Sequence, residues 1–339
     1  MKFFTTLLLL ALLLAAVAAA LIYTPYGPST ETFVDILPGT GTQAIAAQLQ
    51  HSGVIRSQYA FDLLRAIKGG TLKAGEYRFD HPAPTTDIYA RLLRGDVYTR
   101  TLTIPEGYNI FDIAQAVETA GLGSREAFLA AERQHIELIA PFTRARPQSL
   151  EGYLFPDTYH FSRHTTPLQM LTTMVHRFRQ ATAQLGLQTG PDADPTRTII
   201  MASLIEKEVS QDAERPLVAG VFINRLAQGM PLATDPTVIY AALLDNRWRG
   251  TIYASDLQSP STYNTYRHPG LPPGAICNPG IAALRAAISP ASTDYLYFVS
   301  DAAGHSRFSA NLKDHAQQVQ AYRQTRKTGP SNGPAPARR

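Results

Sequence analysis

The first pattern in the chain is an uninterrupted apolar stretch. After Lys2, no charged residue occurs over residues 3–23, and about 20 apolar residues are enough for a helix to cross a bilayer. Small residues over 15–20 would also suit the cleavage site of a signal peptide, whose apolar core is usually only ~7–15 residues long. The longer run therefore favours an uncleaved membrane anchor over residues 1–24, with a cleaved signal peptide as the alternative. Both interpretations export the rest of the chain.

Two related patterns of strand, turn and paired helices follow the apolar run. Alternating residues 33–37 predict a strand, residues 43–50 an amphipathic helix, and Ser57 the N-cap of a second helix. We therefore predict one small α/β unit over residues 25–100 and a second unit or connector over residues 101–149, with a chance similarity between amphipathic helices as the alternative. The first pattern recurs at constant spacing, so that Ile36, Gly39, Ile45, Ala46, Leu49 and Gly53 correspond to Ile104, Gly107, Ile113, Ala114, Val117 and Gly121.

The remaining sequence predicts a larger mixed α+β domain over residues 150–325. Apolar spacing predicts helices over residues 167–185, 198–210, 216–228 and 281–287. Large alternating residues over 295–299 predict a strand that pairs with residues 306–308 across a turn. The Pro-, Gly- and Tyr-rich stretch 231–280 is predicted as a long loop, and residues 326–339 as a disordered tail.

Composition narrows the class of protein. With 45% hydrophobic and 17% charged residues, the bulk of the chain should fold, and the net charge of +4 comes without a dense Lys/Arg stripe. This distribution argues against nucleic-acid binding. Cys277 is the only cysteine, so neither an internal disulfide nor a cysteine metal cluster is possible. The sequence contains none of the usual nucleotide, zinc-protease or serine-hydrolase motifs, and we expect no metal and no cofactor.

One carboxylate stands out by its position on a predicted helix. Over residues 198–210 the apolar side chains form one arc, and Glu208 falls within it, whereas Glu206 points roughly 160° away at ~100° per residue. Burial would raise the pKa of the Glu208 carboxyl and so suit it to act as a general acid near neutral pH. The alternative is a glutamate that reaches solvent from the end of the helix.

Sugar chemistry is one use for such a residue, and it usually needs two carboxylates. The candidates for a partner are Glu151, Asp157, Asp212, Glu214 and Asp235. Each could equally be a cap or loop residue. The loop 263–266 and the run 270–276 combine flat tyrosine faces with hydrogen-bonding Asn and Thr, a mixture that suits pyranose rings, although ordinary packing of a Pro-rich loop is the alternative.

Several runs of sequence resemble a known family. The chain is similar to the MltG (YceG-like) family of endolytic murein transglycosylases from the anchor to about residue 322. The runs that carry the resemblance are EGYLFPDTY at 151–159, ASLIEKE at 202–208, VFINRL at 221–226, LATDPTVIY at 232–240, TYNTY at 262–266, GLPPGAI at 270–276 and YLYFV at 295–299.

The resemblance implies an architecture and a reaction. It implies an α+β chain with a single inner-membrane anchor, LysM-like small units and a periplasmic catalytic domain. It also implies that Glu208 is the catalytic acid/base that cleaves the MurNAc–GlcNAc bond within nascent strands and leaves 1,6-anhydroMurNAc ends, which limits strand elongation. A single carboxylate can serve both steps when the sugar's own hydroxyl attacks. Residues expected to position the substrate, by motif membership and polar chemistry, are Asn224, Thr234, Asp235, Tyr240, Tyr263, Asn264 and Tyr266.

The expected partners are peptidoglycan glycan strands and the membrane, and the family's link to glycan polymerisation adds cell-wall synthases as candidates. Two alternatives to the lytic reaction stay open. A non-enzymatic glycan-binding or scaffold protein would use the small units alone, and a hydrolase would make reducing-end products that differ in mass by one water.

Overall fold

The computed structural model describes residues 2–143, 147–187, 195–300 and 305–328. Within them the chain forms two compact units, residues 1–100 with 160–163 (unit 1) and residues 101–159 with 164–339 (unit 2). The elements of unit 1 are α1 Lys2–Tyr23, β1 Thr32–Ile36, α2 Thr42–His51, α3 Gln58–Lys68, β2 Gly75–Phe79 and α4 Thr85–Arg94.

Most of the helices lie after α4 in the chain. The remaining elements are β3 Arg100–Thr103, α5 Ile110–Thr119, α6 Arg125–Gln134, a 3₁₀ turn Ile136–Phe142, β4 Thr158–Phe161, α7 Pro167–Ala183, α8 Thr196–Glu208, α9 Arg215–Ala227, α10 Asp235–Leu244, α11 Ala254–Leu257, α12 Ile281–Ile288, β5 Tyr297–Ser300, β6 Ser306–Ser309 and α13 Leu312–Thr328. The three sheets of the described chain have two strands each, β1 with β2, β3 with β4 and β5 with β6.

Unit 1 is built around a small core between an antiparallel strand pair and three helices. Strands β1 and β2 pair in a register that places Val34 opposite Tyr77. Phe61 and Tyr89, from α3 and α4, are fully buried and meet edge to face at 5.3 Å. Helix α3 begins where expected, since the Ser57 side chain accepts a hydrogen bond from the Ala60 amide.

The helix pairs α2–α3 and α5–α6 are alike in their backbone turns. Gly39 and Gly107, at corresponding positions, have φ of 85° and 79°, and Gly53 and Gly121 have φ of 68° and 67°. These values lie in the left-handed region that glycine adopts without cost. The corresponding aromatic residues Phe61 and Phe128 are both fully buried. The structure therefore supports a repeated helix pair, with the second copy included in unit 2.

Unit 2 packs α8 against α9, α10 and α12. Residues 199–205 of α8 are buried on every side of the helix, so α8 is a central helix rather than one with a single apolar face. At its middle, Ser203 accepts a hydrogen bond from the Ile276 amide at 3.1 Å and Cys277 is fully buried. This packing fixes the direction in which the end of α8 points.

Three helices of unit 2 were not expected from the sequence. Helices α10 and α11 lie inside the predicted loop 231–280, and α13 extends through residues predicted as tail, namely 326–328. The predicted pairing of β5 with β6 is confirmed, with Phe298 opposite Phe308. The predicted turn between these strands, at 301–304, and the predicted tail from residue 329 lie outside the described residues.

Candidate active site

Glu208 is the last residue of α8, and its half-buried side chain lines a cleft of about 220 Å³. The walls come from α9, the residues that lead into α10, the hairpin strand β5 and the start of α13. Glu208 is the one acidic residue among the lining side chains of the described chain, which are Glu208, Phe222, Arg225, Leu232, Ala233, Thr234, Tyr266, Tyr297, Phe298, Leu312 and His315. The cleft therefore offers a single carboxyl group among aromatic and polar groups.

Thr234 lines this cleft. The residue is 3% exposed, and among the described residues its buried Oγ1 has no hydrogen-bond partner. The Thr234 amide donates to Thr265 Oγ1 at 3.0 Å, which fixes the backbone at the start of α10. Because a buried hydroxyl without a partner costs free energy, such a group is best explained by a ligand or solvent partner.

Tyr266 lines the cleft, and a hydrogen bond from its hydroxyl group holds it in place. The Tyr266 hydroxyl donates to Asp235 Oδ1 at 2.6 Å, and Asp235 is itself 9% exposed at the first position of α10. Asp235 therefore contacts the residue that lines the cleft without lining the cleft itself. This position at the start of a helix, followed by a proline, agrees with the alternative that Asp235 is a cap or loop residue.

Glu206 occupies different surroundings from Glu208, as the helical period predicted. Its side chain is only 6% exposed, contacts Arg215 at 2.9 Å and accepts a hydrogen bond from the Gly280 amide at 3.0 Å. The expectation that burial alone would single out Glu208 is wrong, because packing of α12 buries the opposite side of α8 as well. Glu206 is therefore the more buried of the two carboxylates, and the Arg215 guanidinium neutralises its charge.

A second acidic side chain, Glu106, lies close to the same ion pair. Burial first, and then the charge of Glu206, raise the pKa of the Glu106 carboxyl. Arg215 faces both Glu206 and Asp212, and their charges hold the pKa of its guanidinium up against the opposing effect of burial. The group of Glu106, Glu206, Asp212 and Arg215 is thus a largely internal charge cluster that joins α8, α9 and the start of α12.

Tyr240 and Tyr263 lie in a different cluster, centred on Glu151. The Glu151 carboxyl is 4% exposed and accepts hydrogen bonds from the Ile110 amide at 3.0 Å, the Tyr240 hydroxyl at 2.9 Å and Asn278 Nδ2 at 2.8 Å. The Tyr240 and Tyr263 rings are 5.1 Å apart. Neither tyrosine lines the Glu208 cleft, so the structure does not bring all seven predicted substrate-positioning residues together in it.

Burial dominates the electrostatics of the Glu151 cluster. Burial raises the pKa of Glu151 to about 8, although the hydrogen bonds from Ile110 and Tyr240 oppose this effect. It also raises the pKa of Tyr263 to about 12 and that of Tyr240 well above its ordinary value. A pocket of about 150 Å³ adjoins the cluster and is lined in part by Glu151, Tyr263 and Gly274.

Asn224 and Asn264 act as supports for the backbone. Asn224 Nδ2 donates to the carbonyl groups of Thr293 at 2.8 Å and Tyr295 at 2.9 Å. Asn264 is fully buried, and its Nδ2 donates to the carbonyl groups of Leu257 and Ser259. Their side-chain amides therefore join loops rather than line the cleft, which explains their polarity without a substrate.

The other candidate carboxylates have partners of their own. Asp157 pairs with Arg177 at 2.6 Å, Asp212 is exposed and pairs with Arg215 at 3.0 Å, and Glu214 accepts from the Ser306 amide at 3.0 Å. None of them lines the Glu208 cleft. The described residues also contain no group of three or more His, Cys, Asp or Glu side chains that could hold a metal ion.

Among the cleft residues that were not predicted from the sequence, two have basic side chains. Arg225 donates to the carbonyl groups of Leu296 and Leu232, and His315 of α13 stacks on Tyr297 at 5.1 Å. Arg225 belongs to the run VFINRL, so its motif could have drawn attention to it. His315 lies in a polar segment that carried no signal, because its place in the cleft depends on α13 packing against the β5–β6 hairpin.

The cleft thus combines one acid, hydroxyl groups and aromatic rings, a composition suited to acid/base chemistry on a substrate with both polar edges and apolar faces. This composition is typical of carbohydrate-active enzymes. Comparison with known proteins makes the class specific, since the YceG-like family matches residues 34–321. The chain belongs to the YceG-like family.

Named relatives agree with this assignment. An endolytic murein transglycosylase of Bacillus subtilis (strain 168) is 32% identical over 309 residues, which cover 86% of this chain and 85% of that one. An endolytic murein transglycosylase of Streptococcus pneumoniae (strain D39) is 30% identical over 315 residues, covering 84% of this chain and 57% of that one. The crystal structure of a yceG-like protein from Listeria monocytogenes has 29% identity and a TM-score of 0.55, and the match covers 86% of this chain and 99% of that one.

Proposed function

We propose that this chain is an endolytic peptidoglycan lytic transglycosylase with Glu208 as its catalytic acid/base. The observation that carries the assignment of the residue is that Glu208 is the one carboxylate among the described residues that line the cleft at the end of α8. The enzyme class rests on the relatives, which are named endolytic murein transglycosylases.

The proposed reaction is the transfer of a glycosidic bond within one sugar. Glu208 in its acid form protonates the oxygen that links MurNAc C1 to GlcNAc, and that bond breaks with help from the 2-acetamido group. The Glu208 carboxylate then accepts the proton of the MurNAc C6 hydroxyl as its oxygen bonds to C1. Atoms balance without water, the product carries a 1,6-anhydro end, and one residue acts first as acid and then as base.

Glu208 lies at the C-terminal end of α8, where its side chain lines the cleft. The Thr234 hydroxyl and the Tyr266 ring lie in the same cleft. We propose that they bind sugar hydroxyls and a pyranose face, with Asp235 positioning Tyr266 through the 2.6 Å hydrogen bond.

The anchor and the small units complete the proposal. We propose that α1, with 22 residues and almost no buried surface, is a single-pass inner-membrane anchor that leaves unit 2 in the periplasm. Lys2 favours a cytoplasmic N-terminus. We further propose that residues 25–100 and 101–149 are LysM-like glycan-binding units. An enzyme held beside the membrane in this way would cut nascent strands close to cell-wall synthases and limit their length.

Digestion of purified sacculi tests the reaction. The full-length protein in detergent should release fragments whose mass is lower by one water than that of the reducing-end fragments a hydrolase makes. The Glu208→Gln variant should release none above background. Reducing-end products from the wild type would contradict the transglycosylase mechanism, and unchanged anhydro-product release by Glu208→Gln would contradict the assignment of Glu208. Binding to sacculi without release of fragments would instead support the glycan-binding alternative.

A further inference from the structure

Helix α3 presents large apolar side chains on its exposed face as well as on its buried one. Phe61 and Leu64 point into the core of unit 1. On the opposite side Tyr59, Leu63 and Ile67 are 77%, 43% and 71% exposed. These three residues, here called the α3 stripe, are spaced four apart and so lie along one face of the helix.

No other helix after α1 has such a surface within the described chain. Each of the others exposes at most one large apolar side chain, for example Ile223 of α9 or Leu312 of α13. A single exposed apolar residue needs no explanation, but a contiguous row of them indicates a contact with something apolar.

The neighbour of α3 in unit 1 indicates what that contact is. The last turn of α1 packs on α3 and α4, with Ile22 in the core of the unit and the Leu21 carbonyl accepting a hydrogen bond from the Thr85 hydroxyl at 3.2 Å. The preceding residues of α1 are almost entirely exposed. Helix α3 therefore lies at the point where a bilayer-spanning α1 would leave the membrane.

The polar groups around this point match a membrane interface. Tyr23, the last residue of α1, and Tyr26 just after it are exposed, and the Arg56 guanidinium lies 5.0 Å from the centre of the Tyr26 ring. Lys68 ends α3 and is exposed. Tyrosines concentrate at headgroup level, and long basic side chains there reach the phosphates while their stems remain in apolar surroundings.

We propose that the α3 stripe inserts into the headgroup region of the bilayer that α1 spans, giving unit 1 a second membrane contact. This inference rests on the proposed anchor role of α1. The aliphatic Leu63 and Ile67 favour lipid over a glycan strand, since sugar faces are bound by aromatic rings and hydrogen-bonding groups. Basic Arg56 and Lys68 favour a surface that contains anionic lipids. The second contact would limit how far unit 1 tilts away from the membrane.

Tryptophan fluorescence in lipid nanodiscs tests the insertion on the full chain. The protein has one tryptophan, Trp248 in unit 2, so the wild type reports a site outside unit 1. The double variant Tyr59→Trp with Trp248→Phe, here called the stripe reporter, moves the single indole onto the α3 stripe. The double variant Leu37→Trp with Trp248→Phe, here called the loop reporter, moves it to another exposed apolar position of unit 1.

Brominated lipids should quench the stripe reporter selectively. Its emission should fall by roughly half or more, because interfacial side chains sit about 5–10 Å into the headgroup boundary. The wild type and the loop reporter should keep their emission. Adding Leu63→Ser and Ile67→Ser to the stripe reporter should reduce its quenching to the wild-type level.

The outcomes separate the inference from the proposals on which it rests. Retention in nanodiscs without selective quenching of the stripe reporter overturns the inference alone. Failure of the wild type to remain with nanodiscs overturns the anchor and the inference together. A stripe reporter that responds to soluble glycan fragments but not to brominated lipid overturns it in favour of a glycan site.

Discussion

Glu208 and Glu151 both share their surroundings with a tyrosine in unit 2, but the two carboxyl groups differ in access. Glu208 is half-buried and lines a cleft bounded by aromatic rings and the Thr234 hydroxyl. Glu151 is 4% exposed, and both of its oxygens already accept hydrogen bonds. The Glu151 carboxyl joins α5, α10 and the loop at Asn278, whereas Glu208 lines the larger of the two neighbouring spaces, about 220 Å³ against about 150 Å³.

The difference shows that a strongly raised pKa does not by itself identify a catalytic acid. Burial raises the pKa of Glu151 to about 8, which on electrostatic grounds would make it a candidate. Its carboxyl already accepts three hydrogen bonds, from the Ile110 amide, the Tyr240 hydroxyl and Asn278 Nδ2, that tie it to the fold. Geometry therefore takes precedence over the pKa in assigning the catalytic acid. We expect substitution of Glu208 to reduce activity and substitution of Glu151 to change stability.

The largest expected effect is loss of catalysis at Glu208 without loss of stability. Glu208→Gln keeps the shape of the side chain and removes the proton that is transferred, so the initial rate of sacculus digestion should fall by about 10²–10⁴-fold. The melting temperature should change little, because the side chain is only half-buried. Initial rates and thermal unfolding measured on the same preparation check both parts.

Glu206→Gln is the matched control for this variant, two residues away on the same helix. It removes the charge that pairs with Arg215, so we expect lower stability but substantial activity of the folded protein. If Glu206→Gln proves as inactive as Glu208→Gln while still folded, the separation of the two sides of α8 is wrong.

The next largest expected effect is a loss of stability when Arg215 is replaced. Arg215→Met removes the cation that neutralises Glu206 and leaves that buried carboxylate close to Glu106. Breaking a buried ion pair from one side costs about 3–5 kcal/mol. We expect a loss of that order in the free energy of unfolding measured with urea.

Two further variants make this prediction specific. Arg177→Met breaks a pair whose side chains are 37% exposed and should cost much less, because exposed pairs contribute about 0–1 kcal/mol. Combining Arg215→Met with Glu206→Gln should recover part of the loss. Equal losses for Arg215→Met and Arg177→Met would show that burial does not govern these pairs.

We expect Glu151 to affect the pH dependence of the free energy of unfolding rather than catalysis. Its folded-state pKa of about 8 lies above the ordinary value of 4.5, so between these values the folded state holds a proton that the unfolded state has lost. The free energy of unfolding contributed by this group is therefore greatest below about pH 4.5 and decreases as pH rises to about 8. Glu151→Gln removes this dependence.

The measurement is urea unfolding of the wild type and Glu151→Gln across this range. The variant should be less stable at low pH by about 1–3 kcal/mol, since an amide cannot accept all three hydrogen bonds. The difference should diminish toward pH 8. A difference that grows with pH would mean that Glu151 is ionised in the folded protein and held by its donors.

Local signals were enough to predict some elements of both units. The period of α8 placed Glu206 and Glu208 on different sides, Ser57 marked the start of α3, and alternation predicted β5 and β6. Helix α10 was missed because it is apolar on nearly all sides and begins with Asp-Pro, so no polar face reveals its period. Helix α13 was missed for the opposite reason, since it is polar along most of its length.

The composition of the cleft could be predicted only in part. Thr234 and Tyr266 line it, but Asn224 and Asn264 resemble ligand-binding residues in type while serving the backbone. Asn224 bonds to carbonyl groups 69 and 71 residues away in the chain. Such long-range contacts follow from packing and leave no periodic signal in the sequence, which is also why burial of Glu206 by α12 was not foreseen.

The smallest expected effect tests whether the Glu208 cleft binds substrate through Thr234. Thr234→Val removes a buried hydroxyl that has no partner in the described structure, so stability should stay unchanged or rise slightly. If that hydroxyl binds a sugar, kcat/KM should fall by the value of one hydrogen bond, about 0.5–1.5 kcal/mol or roughly 2–12-fold.

Thr237→Val is the matched control, because the Thr237 hydroxyl hydrogen-bonds to the Thr234 carbonyl at 2.7 Å and to Thr265 at 2.8 Å and does not line the cleft. That variant should lose stability in proportion to those bonds. Digestion rates and urea unfolding distinguish the pair, and a Thr234→Val protein that is less stable but fully active would show that Thr234 supports the fold as Asn264 does.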